Sequence, residues 1–509
     1  MAYDYVPVVR DRLFLLPPDM GEWLPEDHIA WFVIDAVEKI DTSVLHKRHP
    51  NNGVGRRAYD PDMMLALLLY AYCTKVRSSR AIERFCLSDV AYRIIAADHK
   101  PDHSTIAQFR KDFEEYAKTL FIEILKLARE AGVASVGVVA LDGTKMTANA
   151  SLKQNRTSDQ LKKQASLLEE EVDAMFDEAE AADAAEDKCH SSRRGDELPP
   201  GLAKHQTRKA AIDKAFKSLE ERKKKEPTPR QERDRDERVQ SARRREFRSL
   251  QRLRKAKQRE REVRKGNEQR VAAGLKPIGK PRKSENATEP NYVKEERSDY
   301  EANKARRKDF EKRTGRERTE DPKANLTDPD SRIMQTAQGA WVQAYNAQAA
   351  VNEDGIIVGA LVCNEANDYG QFVPMVDEII ANIQAAEVKD GVGTVIADAG
   401  YESEDNLGAV GPDRLIANGK AWKMKKEPLR SDPLPDNATP TERNNYRLGT
   451  KEGRAIYAKR QYMIEPVFGH TKENKTFRQF LQRGITAVNA EWNLMMTAHN
   501  IEKLYRLAH

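Results

Sequence analysis

The chain has 509 residues, 33% of them charged, and a net charge of +6, so it is long enough for two or three domains with a substantial core. Its four cysteines, Cys73, Cys86, Cys189 and Cys363, show no paired spacing, which argues against a zinc module or a disulfide framework and fits a reducing cytoplasm. No apolar run, including VVRDRLFLL near the start, reaches the roughly 18 residues of a membrane span, and the first residues lack the long apolar core and cleavage site of a signal peptide.

Residues 1–125 read as a separate helical unit. Pro61 opens a helix over MMLALLLYAYC, Ser78 and Ser79 cap a second over RAIERFCLSDVAYRII, and Ser104 caps a third after the turn HKPDH. The last two have helix-turn-helix proportions, with Arg77, Arg80, Arg84, Arg110 and Lys111 nearby; a helical cluster with incidental arginines is the competing reading. His99 and His103 are four apart, but Pro101 breaks any helix between them, which disfavours a metal site there.

Val136 to Leu141 is a β-branched, apolar run that stops at Asp142 and Gly143, as a buried strand does when it delivers an acid at its end. Residues 126–154 are thus the first part of an α/β core. A charged stretch, 155–325, follows. Within it, residues 201–320 carry 40 Lys and Arg against 22 Asp and Glu, an excess of 18, so the rest of the chain is net acidic at −12. Its runs are helix-prone, and Phe247, Leu250 and Leu253 give them a narrow apolar seam. Two readings stand side by side: a solvated helical hairpin or partly disordered region, and an arm that tracks DNA phosphates or pairs with a second subunit.

DPDSR at 328–332 marks the return to the core, which occupies 326–509. Trp341 to Val351 alternates like a half-exposed strand, Gly355 makes a tight turn, and Ile356 to Asn364 is the next strand. Phe372 to Ile383 reads as an amphipathic helix, and Thr394 to Ala397 as a strand that stops at Asp398. In YAKRQYMIEPVFGHTKENK, Tyr457, Arg460, Glu465 and Lys472 lie within sixteen residues, and Lys475 and Arg478 extend a basic stripe on the face of Lys472. Pro466 makes Glu465 a helix-start residue. The final stretch places Val488, Trp492, Met495, Met496, His499 and Leu504 at helical spacing and reads as a core-packing helix.

An acid after a strand is by itself an ordinary turn or capping residue. Two at strand exits joined by a third from a helix can bind a pair of hard cations for phosphoryl transfer, and oxygen-only ligands favour magnesium or manganese.

DGTKMTANAS around Asp142, ADAGY around Asp398, and the Tyr457–Arg460–Glu465–Lys472 series ending in EPVFGHTK occur in that order. Together they resemble the DDE transposases of bacterial insertion sequences, over most of the chain outside 155–325. The resemblance implies an α/β ribonuclease H-like catalytic core with a mixed sheet, an all-α N-terminal DNA-binding domain, and a long helical insertion between core strands one and two. It implies a metal-binding catalytic triad of Asp142, Asp398 and Glu465 with two Mg2+ or Mn2+. Tyr457, Arg460 and Lys472 would meet DNA near the scissile phosphate; from the residues themselves, Lys145, Lys475 and Arg478 in the core and Arg80, Arg84 and Arg110 in the N-terminal domain are further candidate DNA contacts. Four residues separate Arg460 from Glu465 where the broader signature has three, so Lys459 is the alternative to Arg460; Glu473 is the alternative third acid. The implied activity is metal-dependent cleavage at the element's ends and joining of the freed 3′-hydroxyl to target DNA. Double-stranded DNA bearing terminal inverted repeats would be the partner, a homodimer or larger the bound assembly, and the bacterial cytoplasm, on the nucleoid, the location. A nuclease that cuts without joining and a catalytically silent DNA-binding repressor are the competing readings.

Overall fold

The structure is a computed structural model that describes residues 19–47, 58–186, 202–224, 229–278, 290–315, 323–336, 339–419, 429, 434 and 437–509. VVRDRLFLL and Cys189 lie outside the described residues. Two compact units result, one built from residues 1–156, 192–215 and 324–509, the other from 157–191 and 216–323.

In the first unit the N-terminal helices start where local chemistry lets them. Asp60 accepts hydrogen bonds from the amides of Asp62 (2.8 Å) and Met63 (3.0 Å), and Pro61 occupies the first turn of the helix Pro61–Cys73. That helix is almost wholly buried. The single helix expected over 80–95 is two, Ser79–Ser88 and Val90–Ile95, because Asp89 leaves helical geometry and caps the second through the Tyr92 amide (3.1 Å). Asp102, not Ser104, caps His103–Asp112, holding the amides of Ser104 and Thr105 at 2.9 and 3.0 Å. His103 pairs with Glu83 (3.0 Å) while His99 packs edge-on against Tyr59, so the two histidines serve separate contacts. The boundary expected near 125 falls inside the helix Ala117–Glu130. That helix and Pro61–Cys73 share one apolar core with the sheet and the C-terminal helix.

The sheet is six-stranded and mixed. In chain order its strands are β1 (Val138–Thr147), β4 (Arg332–Gln335), β5 (Trp341–Asn352), β6 (Ile357–Cys363), β7 (Thr394–Ala397) and β8 (Asp413–Ile416). They run β4-β5-β1-β7-β8, with β6 also on β5. β5 is antiparallel to β1, β4 and β6, whereas β1, β7 and β8 run parallel. β4 and β8 were not anticipated: each is four residues long, too short to show alternation. Gly355, at φ +78°, turns β5 into β6, and the Asn352 side chain accepts from the Ile356 amide (2.8 Å).

A further pair, β2 (Asn155–Arg156) and β3 (Ala324–Asn325), joins the two ends of the chain that bracket the charged stretch. Asn325 donates to the Ser151 carbonyl at 2.8 Å and the Leu326 amide to Gln154 O at 3.0 Å. In chain order four long helices, Ser158–Glu186, Leu202–Lys224, Pro229–Ala272 and Asn291–Gly315, separate β1 from β5.

The C-terminal helix, Ile485–Ala508, buries Val488, Trp492, Met495, Met496 and Leu504, as the spacing predicts. Its asparagines also satisfy the edge of β6. Asn489 accepts from Val362 N (2.9 Å), and Asn500 both accepts from Ile357 N and donates to Ile357 O at 2.8 Å. Trp492 donates to Gln348 O of β5 (2.8 Å).

Within the second unit, Pro229–Ala272 and Asn291–Gly315 lie antiparallel. Arg252 meets Asp299 (2.6 Å) and Glu296 (3.6 Å), and Glu246 pairs with Arg307. The anticipated seam is only partly real: Leu253 is buried and Leu250 half-buried, whereas Phe247 is 59% exposed. No described helix is long and apolar enough to cross a membrane.

Candidate active site

β1 is longer than its apolar run. It continues through Asp142 to Thr147 against β5, with Asp142 opposite Ala349. The parallel partner stops earlier: the last β1–β7 pair is Leu141 with Ala397. Asp142 and Asp398 are therefore the next residues on two adjacent parallel strands, just past the end of their ladder. Asp142 is thus not at its strand's end, as its sequence suggested, but at the end of one of its two pairings. Gly143 and Gly400 donate backbone hydrogen bonds of 2.8 Å to Oδ1 of Asp142 and Asp398, which fixes both carboxylates.

The third acid arrives from the far end of the chain. Helix Lys451–Met463 stops, and Glu465 opens the short helix Glu465–Gly469 with Pro466 in its first turn. A turn of π-helix, His470–Asn474, follows, the kind of helix irregularity often found at functional sites. The chain then runs beside the end of β1 that β7 leaves free: Thr147 N donates to Arg478 O (3.1 Å) and Phe480 N to Thr147 O (2.9 Å). This docking sets Lys472 against β1, where it donates to the Thr144 hydroxyl and to Lys145 O (3.0 Å).

Arg460 stands among the three acids. Its Nη2 is 2.5 Å from Asp142 Oδ2 and 3.9 Å from Asp398 Oδ2, and its Nη1 is 3.8 Å from Glu465 Oε1. The Asp142 and Arg460 side chains are 18% and 14% exposed, while Asp398 and Glu465, at 42% and 56%, form the open side of the cluster. Burial pushes the Asp142 carboxyl up to about 6, against the pull of Arg460. Burial lowers the Arg460 affinity for its proton, but Asp142, Tyr457, Asp398 and Glu465 together hold it above its usual value. Half-buried Tyr457 titrates higher than usual, from burial first and the nearby acids next.

A fourth carboxylate escaped sequence reading. Asp368 Oδ1 accepts from Asn346 (2.6 Å), Gln348 (3.0 Å) and Lys145 (3.3 Å), and Tyr401 donates to Gln348 beneath them. Gly143 makes room for this layer: a Cβ there would collide with Gln348 and stand 2.6 Å from Asp368 Oδ1. Asp368 lies in a loop five residues past the end of β6, so no local pattern marks it.

The other sequence candidates go elsewhere. Lys459 pairs with Glu353, which leaves Arg460 as the cation at the triad. Lys475 is buried against Glu502 rather than on an exposed stripe, because the π-turn breaks the helical register expected from Lys472 onward. Arg478 is exposed and pairs with Glu473, whose side chain is likewise exposed. Arg110 donates to Arg77 O (2.6 Å), and Arg77 reaches Gln479 O (2.7 Å) and buried Glu491 (3.3 Å). Arg77 thus joins the N-terminal helices to the C-terminal part of the core, while Arg110 ties two N-terminal segments together. Arg80 and Arg84 are exposed on Ser79–Ser88. Among the described residues no three His, Cys, Asp or Glu side chains stand in ligand geometry. The donor set still suits a hard cation, since three carboxylates converge on one cationic group.

Two family models match the chain: one described as a transposase domain (DUF772) over residues 18–112, the other as a transposase DDE domain over 426–505. No curated protein and no solved structure matches it. The second match includes Glu465, and Asp142 and Asp398 fall outside both. The DDE domain implies a ribonuclease H-like fold, the class to which the mixed sheet and its flanking helices correspond. Both matches are to transposase families, and together they support a DDE transposase of an insertion sequence.

Proposed function

We propose that this DNA transposase cuts phosphodiester bonds at the ends of its insertion sequence and joins the freed 3′-hydroxyl to target DNA, with Asp142, Asp398 and Glu465 as its catalytic carboxylates. The observation that carries this reading is the convergence of all three on the single guanidinium of Arg460. They come from two neighbouring parallel strands, just past the end of their shared ladder, and from a helix start, separated by 256 and 67 residues in sequence. The three would hold magnesium or manganese, whose role when bound is to polarise the phosphate and activate the attacking oxygen. Asp368 and Gln348 fix the floor beneath Asp142. Lys145 and Lys472, on the flank of the cluster, would neutralise the phosphate on either side of the reacting bond. Tyr457 would pack against the sugar or base next to it. Arg478, Arg80 and Arg84, being exposed, would meet the DNA backbone further out. The N-terminal helices, within the transposase-domain match, would read the terminal repeats, and two ends require at least two chains.

The test is cleavage and strand joining of a fragment bearing the element's own ends, with magnesium, for wild type and for Asp142→Asn, Asp398→Asn and Glu465→Gln. The expected result is that all four bind the fragment and only wild type cuts and joins. Cutting that survives any of the three substitutions would remove that residue from the triad; cutting without joining by wild type would make the protein a nuclease.

A further inference from the structure

We propose that Arg460 is an internal counter-ion of the triad, seated where a divalent cation has to go, so that metal enters only by exchange with this side chain. The inference rests on the proposed function, and it assigns Arg460 a role before DNA is bound.

The geometry of the pairing supports it. One guanidinium reaches Asp142 (2.5 Å), Asp398 (3.9 Å) and Glu465 (3.8 Å), and its side chain is only 14% exposed. A magnesium ion on the same oxygens requires ligand distances of about 2.0–2.1 Å, which leaves no room for Arg460 Nη2 beside Asp142 Oδ2. Metal and guanidinium therefore exclude one another. The fit is also incomplete: a single positive charge faces three carboxylates, and Arg460 Nε is buried without a hydrogen-bond partner. An orphaned donor and uncompensated negative charge both favour release once a stronger cation arrives. An exit is present, because Glu465 and Asp398 form the exposed side of the cluster and Arg460 lies in the last turn of its helix, three residues before Met463 ends it. Swung outward, the planar fork of Arg460 faces the side from which a phosphate would come, and guanidinium and phosphate pair well. Without metal the arginine holds the acids together; with metal it becomes available to DNA.

The experiment is calorimetric titration of Mn2+ into DNA-free wild type, Arg460→Gln and the double variant Asp142→Asn with Arg460→Gln, each checked for native circular dichroism. Arg460→Gln is expected to bind Mn2+ about tenfold more tightly than wild type. It should also melt at a lower temperature without metal, gain more from added Mn2+, and lose binding when Asp142→Asn is added. Equal or weaker binding by a natively folded Arg460→Gln overturns the proposal while leaving the metal reading of the triad intact. Absence of Asp142-dependent binding in every form overturns both. Should Arg460→Gln fail to fold, the Nε–H resonance of Arg460 in wild type decides: it should shift as Mg2+ is added, and an unmoved resonance in metal-saturated protein contradicts the exchange.

Discussion

The two units of this protein are held together by different physics. In the first, Trp492, Tyr345, Phe121, Phe480 and a long series of aliphatic side chains are fully buried in one core that runs from the N-terminal helices through the sheet to the last helix. In the second, the described side chains of the facing helices bury little beyond Leu253, Ser249 and Val293, and the helices meet through Arg252–Asp299, Arg252–Glu296 and Glu246–Arg307. Apolar burial is not screened by salt, whereas exposed ion pairs are weak and screened. Positions that must hold three carboxylates in register are accordingly built on the first kind of structure.

Substitutions can break that contrast. Trp492→Ala should cost the core about 3–5 kcal/mol, read as a large drop in its thermal midpoint, whereas Leu253→Ala should leave that midpoint in place and lower only the helical signal of the arm. Glu491 is buried, accepts from the amides of Leu481 (2.9 Å) and Gln482 (3.0 Å) and pairs with Arg77. Arg77→Ala would strand that acid, and a loss of about 3 kcal/mol in denaturant unfolding is expected.

Titration sharpens the contrast with two opposite signs. His470 and His499 are held down to about 4 and about 3, in both cases by burial first and Lys475 next. Both folded values lie below the ordinary 6.5, so the unfolded chain takes up these protons first. Their contribution is complete above pH 6.5 and is lost as pH falls toward 4, and the core's midpoint should drop across that window with a shallower slope in His499→Asn. Asp142 runs the other way. Its folded value of about 6 exceeds its ordinary 3.8, so its contribution is complete below pH 4 and lost as pH rises through 6. Metal-free wild type should therefore lose stability between pH 4 and pH 8, and Asp142→Asn should lack that loss. The smallest effect belongs to the arm: Arg252→Ala should cost less than about 1 kcal/mol, and 0.5–1 M salt, which screens such pairs, should erase the difference.

The strands and helices that carry the site were legible because each has a local signature: the apolar run into Asp142, the short strand into Asp398, Pro466 after Glu465, and the Gly355 turn between β5 and β6. What escaped depends on partners distant in sequence. β4 and β8 exist as additions to β5 and β7. Asp368 is marked by three donors from β1 and β5. The burial of Lys475 follows from a π-turn that no propensity announces. From its place in a signature Arg460 reads as a DNA contact, and only the folded chain sets it among the acids.

The central claim is that Asp142, Asp398 and Glu465 form one metal-binding site, and iron-directed cleavage of the chain tests it most directly. Fe2+ with peroxide and ascorbate, added to the folded protein in place of magnesium, should cut the backbone near residues 142, 398 and 465, with all three cuts suppressed by excess Mg2+ and absent from Asp142→Asn. Cleavage confined to one of these segments, or Mg2+-sensitive cleavage elsewhere, would contradict a shared site.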